Sequence, residues 1–384
     1  MKRIVSTVLL CCLALSSCIK IDAPRPQSFK RTVLLYLACD GNNLQWYAES
    51  DLANLVRGYL PVRTAKDEAL LIFLDNGDGS PALHRYYLTE EGHIYKELVK
   101  LYDNTFDSAD ADNLKQVLDD VEYYYPSERR GLILWSHGTG WLPPGYYSNP
   151  REGKSVSKSF AQEGGDEIDI RDLADALTRH YEFILFDSCL MGTVEVAYQL
   201  RDKTDYIIAS CAEVLVDGFP YSSIGQDLFY DHTGKGPSAL MDICKKYYDY
   251  YDAQSGASRT ATVSLIDCSR LDGLAAASAK IFRAHKADMP LVDPSAVQRY
   301  YTGNKHWFYD LTDYVSQFAT ESEMKEFSAA MAQCVLCKYA TEWILGAVHV
   351  RTHSGLSTYI PISNATYLNS YYKTLDWTQD TGAL

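Results

Sequence analysis

Apolar runs of strand length recur along the first two thirds of the chain, each followed by turn residues and then by helical spacing. TVLLYLAC (32–39) predicts a buried strand that runs into the turn Asp40-Gly41-Asn42-Asn43. Residues 44–60 then carry helical spacing, with Leu44, Tyr47, Leu52, Leu55 and Val56 on roughly one side. ALLIFLD (69–75) predicts the second strand, 83–101 a hairpin or small β extension, and 110–125 a helix with an acidic start. GLILWS (131–136), FILFDS (183–188) and DYIIASCAE (205–213) predict the third to fifth strands. A helix over 167–181 separates the third from the fourth, and another begins immediately after Cys189. Strands alternating with helices predict an α/β fold with a mostly parallel sheet covered on both faces.

The second half predicts helices over 237–253 and 269–287 around a strand, ATVSLID, and two more helices over 308–318 and 321–340. AVHVRTHSGLSTYIPI predicts two closing strands joined near Ser354-Gly355. Residues 141–167 hold no sustained period and are rich in Gly, Pro and Ser. A loop of that length inside a compact domain is functional or disordered.

Lys2, Arg3 and the run IVSTVLLCCLAL predict a secretory signal, too short for a membrane-spanning helix. Its end, LSSC, resembles a lipobox, which makes 1–18 a lipoprotein signal with Cys18 as the lipid-bearing residue. An ordinary signal with an incidental cysteine is the alternative. Residues 19–30 then form a tether, 31–362 the folded domain with its long loop at 141–167, and 363–384 a tail packed on it. This predicts an exported protein anchored by lipid to the bacterial envelope, at the outer membrane or cell surface. The balance of 36 basic against 50 acidic side chains argues against nucleic acid as a partner.

Beyond the signal, cysteines stand at 39, 189, 211, 244, 268, 334 and 337. They are widely spread in a chain long enough to fill its own core, so no disulfide framework is expected. Cys334 and Cys337 form a lone CxxC inside a predicted helix, with no second pair to complete a zinc set.

Two of the predicted strands end in reactive residues. His137 follows GLILWS, and Cys189 follows FILFDS, 52 positions later. Open α/β sheets place their sites at the carboxyl ends of strands. A thiolate there, beside an imidazole and a helix N-terminus, is the minimum equipment for covalent attack on a carbonyl. The histidine then protonates the leaving amine. A cysteine with its histidine tens of residues upstream has the caspase order, not the papain order. Gly138 and Gly140 permit close backbone approach, and the amides of Gly138 and Cys189 are candidate oxyanion donors. Taken singly, such a histidine is usually structural and such a cysteine inert core; the two strand ends together point to catalysis. His353, between charged and small residues, is expected at the surface. Asp187 shares a strand face with Cys189 and suits a pocket that selects Arg or Lys; a cap on the following helix is the alternative.

LLYLACDGNNL, LILWSHGTGW, FDSCLMGTVE and ASCAEVLVDGFPY together carry a family likeness. Over roughly 30–362 the chain resembles the clostripain-like cysteine peptidases, family C11 of the caspase–gingipain–legumain clan. The resemblance implies a caspase-like αβα sandwich, a His137/Cys189 dyad working through a thioester acyl-enzyme, and cleavage after Arg or Lys with Asp187 in the pocket. It also implies a second acidic pocket residue, for which Glu213 and Asp217 are the candidates. Some members are activated by cleavage in the loop between the catalytic strands, which here offers Arg151, Lys154 and Lys158 and implies a nick between 150 and 160. No cofactor is required. Calcium dependence occurs in parts of the family, with Asp166, Glu167 and Asp169 as possible contributors, although no EF-hand pattern is present. The implied partners are proteins or peptides with basic residues, and the membrane through the N-terminal lipid. A catalytically silent peptide- or glycan-binding lipoprotein and a cysteine amidase on the same scaffold are the alternatives.

Overall fold

The computed structural model describes residues 28–40, 43–64, 67–147, 160–163, 166–230, 237–303 and 306–384. Cys18 and the loop residues Arg151, Lys154 and Lys158 lie outside them.

Ten residues of unbroken β character, Phe29–Ala38, form the central strand β1. Helix α1 (Gln45–Gly58) leads to β2 (Glu68–Asp75), the hairpin β3 (Ala82–Leu88) and β4 (Ile94–Leu101), helix α2 (Ala111–Tyr124) and strand β5 (Ser127–Trp135). Then come α3 (Ile170–Ala176), β6 (Tyr181–Asp187), α4 (Val194–Gln199), β7 (Thr204–Ala209), α5 (Tyr221–Ile224), α6 (Ser238–Asp252), β8 (Thr262–Asp267) and α7 (Leu271–Ala284). The chain closes with α8 (Leu311–Ser316), α9 (Glu321–Cys334), β9 (Val335–Ala340), α10 (Thr366–Tyr372) and α11 (Asp376–Thr381).

The nine strands lie in the order β9-β8-β7-β6-β5-β1-β2-β3-β4. β2, β1, β5, β6 and β7 run parallel, and antiparallel strands extend both edges, so the sheet is mixed. Val33, Leu35 and Leu37 of β1 join the layer containing α1, α5 and α6. Leu34, Tyr36 and Ala38 join the larger layer containing α2, α3, α4, α7 and α9. Burial on both faces explains why the central strands read as continuous apolar runs rather than alternating ones. Leu368, Tyr372 and Trp377 of the last two helices are buried in the larger layer.

Four local expectations differ from what is found. The predicted 321–340 helix stops at Cys334, and VLCKYA turns into β9, antiparallel to β8. The open edge of β8 satisfies that backbone, and tertiary pairing overrides helical spacing. Cys334 therefore ends the helix and Cys337 is on the strand, so the CxxC straddles the two. The two closing strands do not pair with each other: Val348–His349 pairs with Trp343–Ile344, and Ser357–Thr358 with Tyr309–Asp310. The 167–181 helix shrinks to α3, begun by the Asp169 side chain, which accepts from the Arg171 amide at 2.8 Å. A small hairpin, Phe160–Glu163 with Asp166–Ile168, precedes it where no period was visible. Finally, His353 is half-buried rather than exposed. Its Nδ1 lies 2.8 Å from the Tyr300 hydroxyl, and burial pulls its pKa down to about 4.

Candidate active site

β5 and β6 pair in parallel from Gly131 opposite Phe183 to Trp135 opposite Asp187. His137 and Cys189 each follow two residues beyond that last rung. Both emerge at the carboxyl edge of the sheet and line one cleft of about 110 Å³, together with Trp135, Asp187, Gly218 and the segment Val214–Val216. A larger depression of about 470 Å³ sits at the amino ends of β1, β2 and β5 around Arg31 and Glu68, and among the described residues no cysteine or histidine lines it.

Cys189 occupies a turn rather than a helix start. Leu190 has φ +63°, and the turn is tied to the segment after β7 by Leu190 N–H to Ala212 O (2.9 Å) and Gly192 N–H to Ser210 O (2.7 Å). Helix α4 begins only at Val194, where the Thr193 hydroxyl accepts from the Val196 amide at 3.1 Å. The expected helix N-terminus directly behind the thiol is thus absent. The Cys189 sulfur instead accepts the Val214 N–H at 3.2 Å. The same sulfur donates to Val214 O at 3.5 Å, so the thiol is held by both backbone groups of one residue.

His137 Nε2 lies 2.9 Å from Asn43 Oδ1, in the turn after β1. With the amide oxygen as acceptor, Nε2 carries the proton and Nδ1 keeps the basic lone pair. The backbone on either side is fixed as well. Ser136 Oγ donates to Ala38 O at 2.6 Å, and Ala161 N–H donates to His137 O at 3.2 Å. Gly138 packs on the nucleophile turn: a methyl group at that position would fall 2.6 Å from Cys189 O and 2.9 Å from Ser188 Cβ.

Asp187 is 4 % exposed, and its Oδ2 accepts from Phe219 N–H (3.0 Å) and Tyr221 O–H (2.8 Å). It does not cap the next helix, since Thr193 does. Burial raises its pKa to about 6 against the lowering effect of those two hydrogen bonds. Beside it is a carboxyl group that the sequence did not single out. Asp51 of α1 is 2 % exposed and accepts the Trp135 indole N–H at 2.9 Å. Burial first and Asp187 second, with a smaller contribution from Asp217, raise its pKa to about 9 despite the indole hydrogen bond. The buried face of α1 is Ala48, Asp51 and Leu55, and Tyr47 is exposed. The available signal was an acid at helical spacing between buried apolar positions.

The remaining candidates sit around this centre. Asp217 is exposed at the rim, next to Gly218. Glu213 is turned towards the 300–303 segment, where its Oε1 accepts from Thr302 Oγ1 at 2.7 Å. Asp169, a possible calcium ligand, is instead the α3 cap, paired with Arg171 at 2.9 Å and accepting from Tyr371 O–H at 2.8 Å. Among the described residues no group of three or more His, Cys, Asp and Glu side chains is placed to hold a metal ion.

A mixed sheet between two helical layers, with its parallel centre feeding one edge, is the α/β caspase-like fold of cysteine proteases. The chain belongs to the clostripain family, peptidase C11, whose family model matches residues 35–382. It resembles the inactive zymogen of a C11 protease from Parabacteroides distasonis (35 % identity, TM-score 0.79, 93 % of this chain and 99 % of that one). A secreted C11 cysteine protease from Bacteroides thetaiotaomicron, solved with an irreversible peptide inhibitor, is 28 % identical with TM-score 0.78, over 92 % of this chain and 99 % of that one. Clostripain of Hathewaya histolytica is 28 % identical over 230 residues, which are 51 % of this chain and 41 % of clostripain.

Proposed function

We propose that the chain is a cysteine endopeptidase that uses His137 and Cys189 as its dyad and cleaves after Arg or Lys. The observation that carries this reading is the shared cleft. Two neighbouring parallel strands deliver an imidazole and a thiol from the same rung into one cavity, with a buried carboxyl group, Asp187, in its wall. In the forward step the Cys189 thiol passes its proton to His137 as the sulfur bonds to the scissile carbonyl carbon and the carbonyl π bond opens to an oxyanion. The oxyanion is held by the amides of Gly138 and Cys189, and His137 delivers a proton to the departing amine as the C–N bond breaks. Water, deprotonated by His137, then attacks the thioester and frees Cys189. Asp187 selects a cationic side chain, with Asp217 at the rim as its second acidic partner. Glu213, held by Thr302, is the weaker candidate. The bound inhibitor in the B. thetaiotaomicron relative and the specificity implied by the family likeness support the same reading.

Self-cleavage between 150 and 160, at Arg151, Lys154 or Lys158, fits that specificity, because a tethered bond meets the site at high effective concentration. Export with a lipid at Cys18 fits the LSSC motif and the secreted relative. A fluorogenic panel with Arg, Lys, Asn, Asp and Ala at the cleavage site is the deciding experiment. Turnover is expected for Arg and Lys only, abolished by iodoacetamide and by Cys189→Ala. Turnover that survives Cys189→Ala overturns the dyad, and turnover without preference for Arg or Lys overturns the role of Asp187. Intact masses of active wild type and Cys189→Ala that differ only by the substituted side chain would end the self-cleavage proposal.

A further inference from the structure

We propose that Asp51 is a further carboxyl group of the pocket for the substrate's basic side chain, buried behind Asp187: it shares one proton with Asp187 while the cleft is empty, and the pair gives that proton to solvent when a lysine or arginine side chain enters. This rests on the peptidase reading above and deepens it.

The geometry is specific. Both carboxyl groups converge on Gly218, which lines the cleft: a methyl group there would fall 2.5 Å from Asp187 Oδ2 and 2.9 Å from Asp51 Oδ2. The two oxygens therefore lie no further apart than those distances added together. Both residues are almost fully buried. Their neutral donors are the Trp135 indole N–H on Asp51, and the Phe219 N–H and Tyr221 O–H on Asp187. Among the described residues neither acid has an ion pair with a lysine, arginine or histidine. Two buried carboxylates at this range cannot both ionise without a cation. The separate upward shifts of the two groups agree with one charge on the pair.

The groups facing the pair leave the proton with it. Tyr221, Tyr247 and Tyr251, from α5 and α6, are held neutral well above the ordinary tyrosine range, mainly by burial, and the Tyr251 hydroxyl donates to Gly218 O at 2.6 Å. Asp217 adds negative charge from the rim. His137 and Cys189 line the same cleft. An entering ammonium or guanidinium group supplies the missing cation and favours the fully ionised pair. Affinity for a cationic side chain must then rise with pH, one proton being released per substrate bound.

The test is the ratio of kcat/KM for an arginine substrate to that for its neutral citrulline counterpart, from pH 5.5 to 8.5. Titration of the dyad is common to both substrates and cancels. In the wild type the ratio is expected to rise about 30-fold or more across this range, about half a proton or more over three pH units; in Asp51→Asn it should rise only about 4-fold, near pH 6 where Asp187 alone titrates, and then stay level, about 10-fold below the wild type at pH 8.5. An Asp51→Asn profile that overlays the wild type overturns the inference and leaves the peptidase reading intact. Wild type that cleaves after neither Arg nor Lys overturns both. Calorimetry of benzamidine binding to the wild type at pH 7 in two buffers of different ionisation enthalpy needs no variant. Release of about half to one proton per site is expected, and no release overturns the inference.

Discussion

Trp135 and Asp187 face each other on the last paired rung between β5 and β6. That pairing organises the whole cleft. Two residues beyond the strand ends stand His137 and Cys189, so parallel register sets where the two turns that carry the dyad begin. The Trp135 indole reaches sideways to Asp51 of α1. One rung thus fixes the reacting pair, the pocket acid and the acid behind it. Rigid elements hold functional groups more accurately than loops do.

Gly138 has no room to become alanine. The added methyl group would meet the Cys189 carbonyl oxygen at 2.6 Å, and that contact is backbone, not a flexible side-chain end. Gly138→Ala should displace the nucleophile turn, destabilise the fold by about 1–3 kcal/mol, and lower kcat by at least about 100-fold through the oxyanion site. Urea denaturation and kcat measured together check this; wild-type kcat in the variant would remove Gly138 from the oxyanion role.

Asn43 holds the imidazole through the 2.9 Å contact to Nε2. Asn43→Ala frees the ring to rotate and to exchange tautomers. The expected result is a fall in kcat of about 10-fold with KM little changed, since the lost contact orients the base and does not touch the substrate side chain. Asn43→Asp should instead raise the histidine pKa and move the acid limb of the pH–rate profile upwards. An unchanged profile would show that the contact is incidental.

The five parallel strands were legible because burial on both faces leaves little but Val, Ile, Leu and Phe in them, and GLILWS and FILFDS point straight at His137 and Cys189. Asn43 and Asp51 were not legible as site residues. Each becomes a neighbour of the dyad or pocket only when β1 pairs beside β5 and α1 packs over them, contacts that no local period encodes. The thiol's surroundings were misread for a similar reason. LMGTVE has helical character, yet the Leu190 to Gly192 turn is pulled back by hydrogen bonds to Ser210 and Ala212, and α4 starts late. Val335–Ala340 shows the same limit: only the free edge of β8 decides that this stretch leaves its helix.

Gly218 combines two constraints. Its φ is +57°, and any side chain there would press on Asp187 Oδ2 at 2.5 Å. Gly218→Ala should cost about 1–2 kcal/mol from the left-handed backbone alone and displace the Asp187 carboxyl group from Phe219 and Tyr221. Activity on arginine substrates should fall more than activity on neutral ones. Equal losses on both would mean that the carboxyl group at this place does not select the substrate.

Asp51 makes folding stability depend on pH in a direction unusual for a carboxyl group. Its pKa is about 9 in the fold, against about 3.8 for an ordinary aspartate. The folded state therefore holds a proton that the unfolded chain releases. The stability linked to that proton is fully present below about pH 3.8 and is lost steadily as pH rises towards 9. Asp187, raised to about 6, acts in the same direction over a narrower window. One such group contributes at most about 1.4 kcal/mol of slope per pH unit. Asp51→Asn keeps an acceptor for the Trp135 indole and removes the titration. Urea unfolding from pH 5 to 9 should show the wild type losing stability faster than the variant, with the variant more stable by about 1–3 kcal/mol at pH 8.5. Parallel curves would mean that Asp51 is ionised throughout, with a cation supplied from outside the pair.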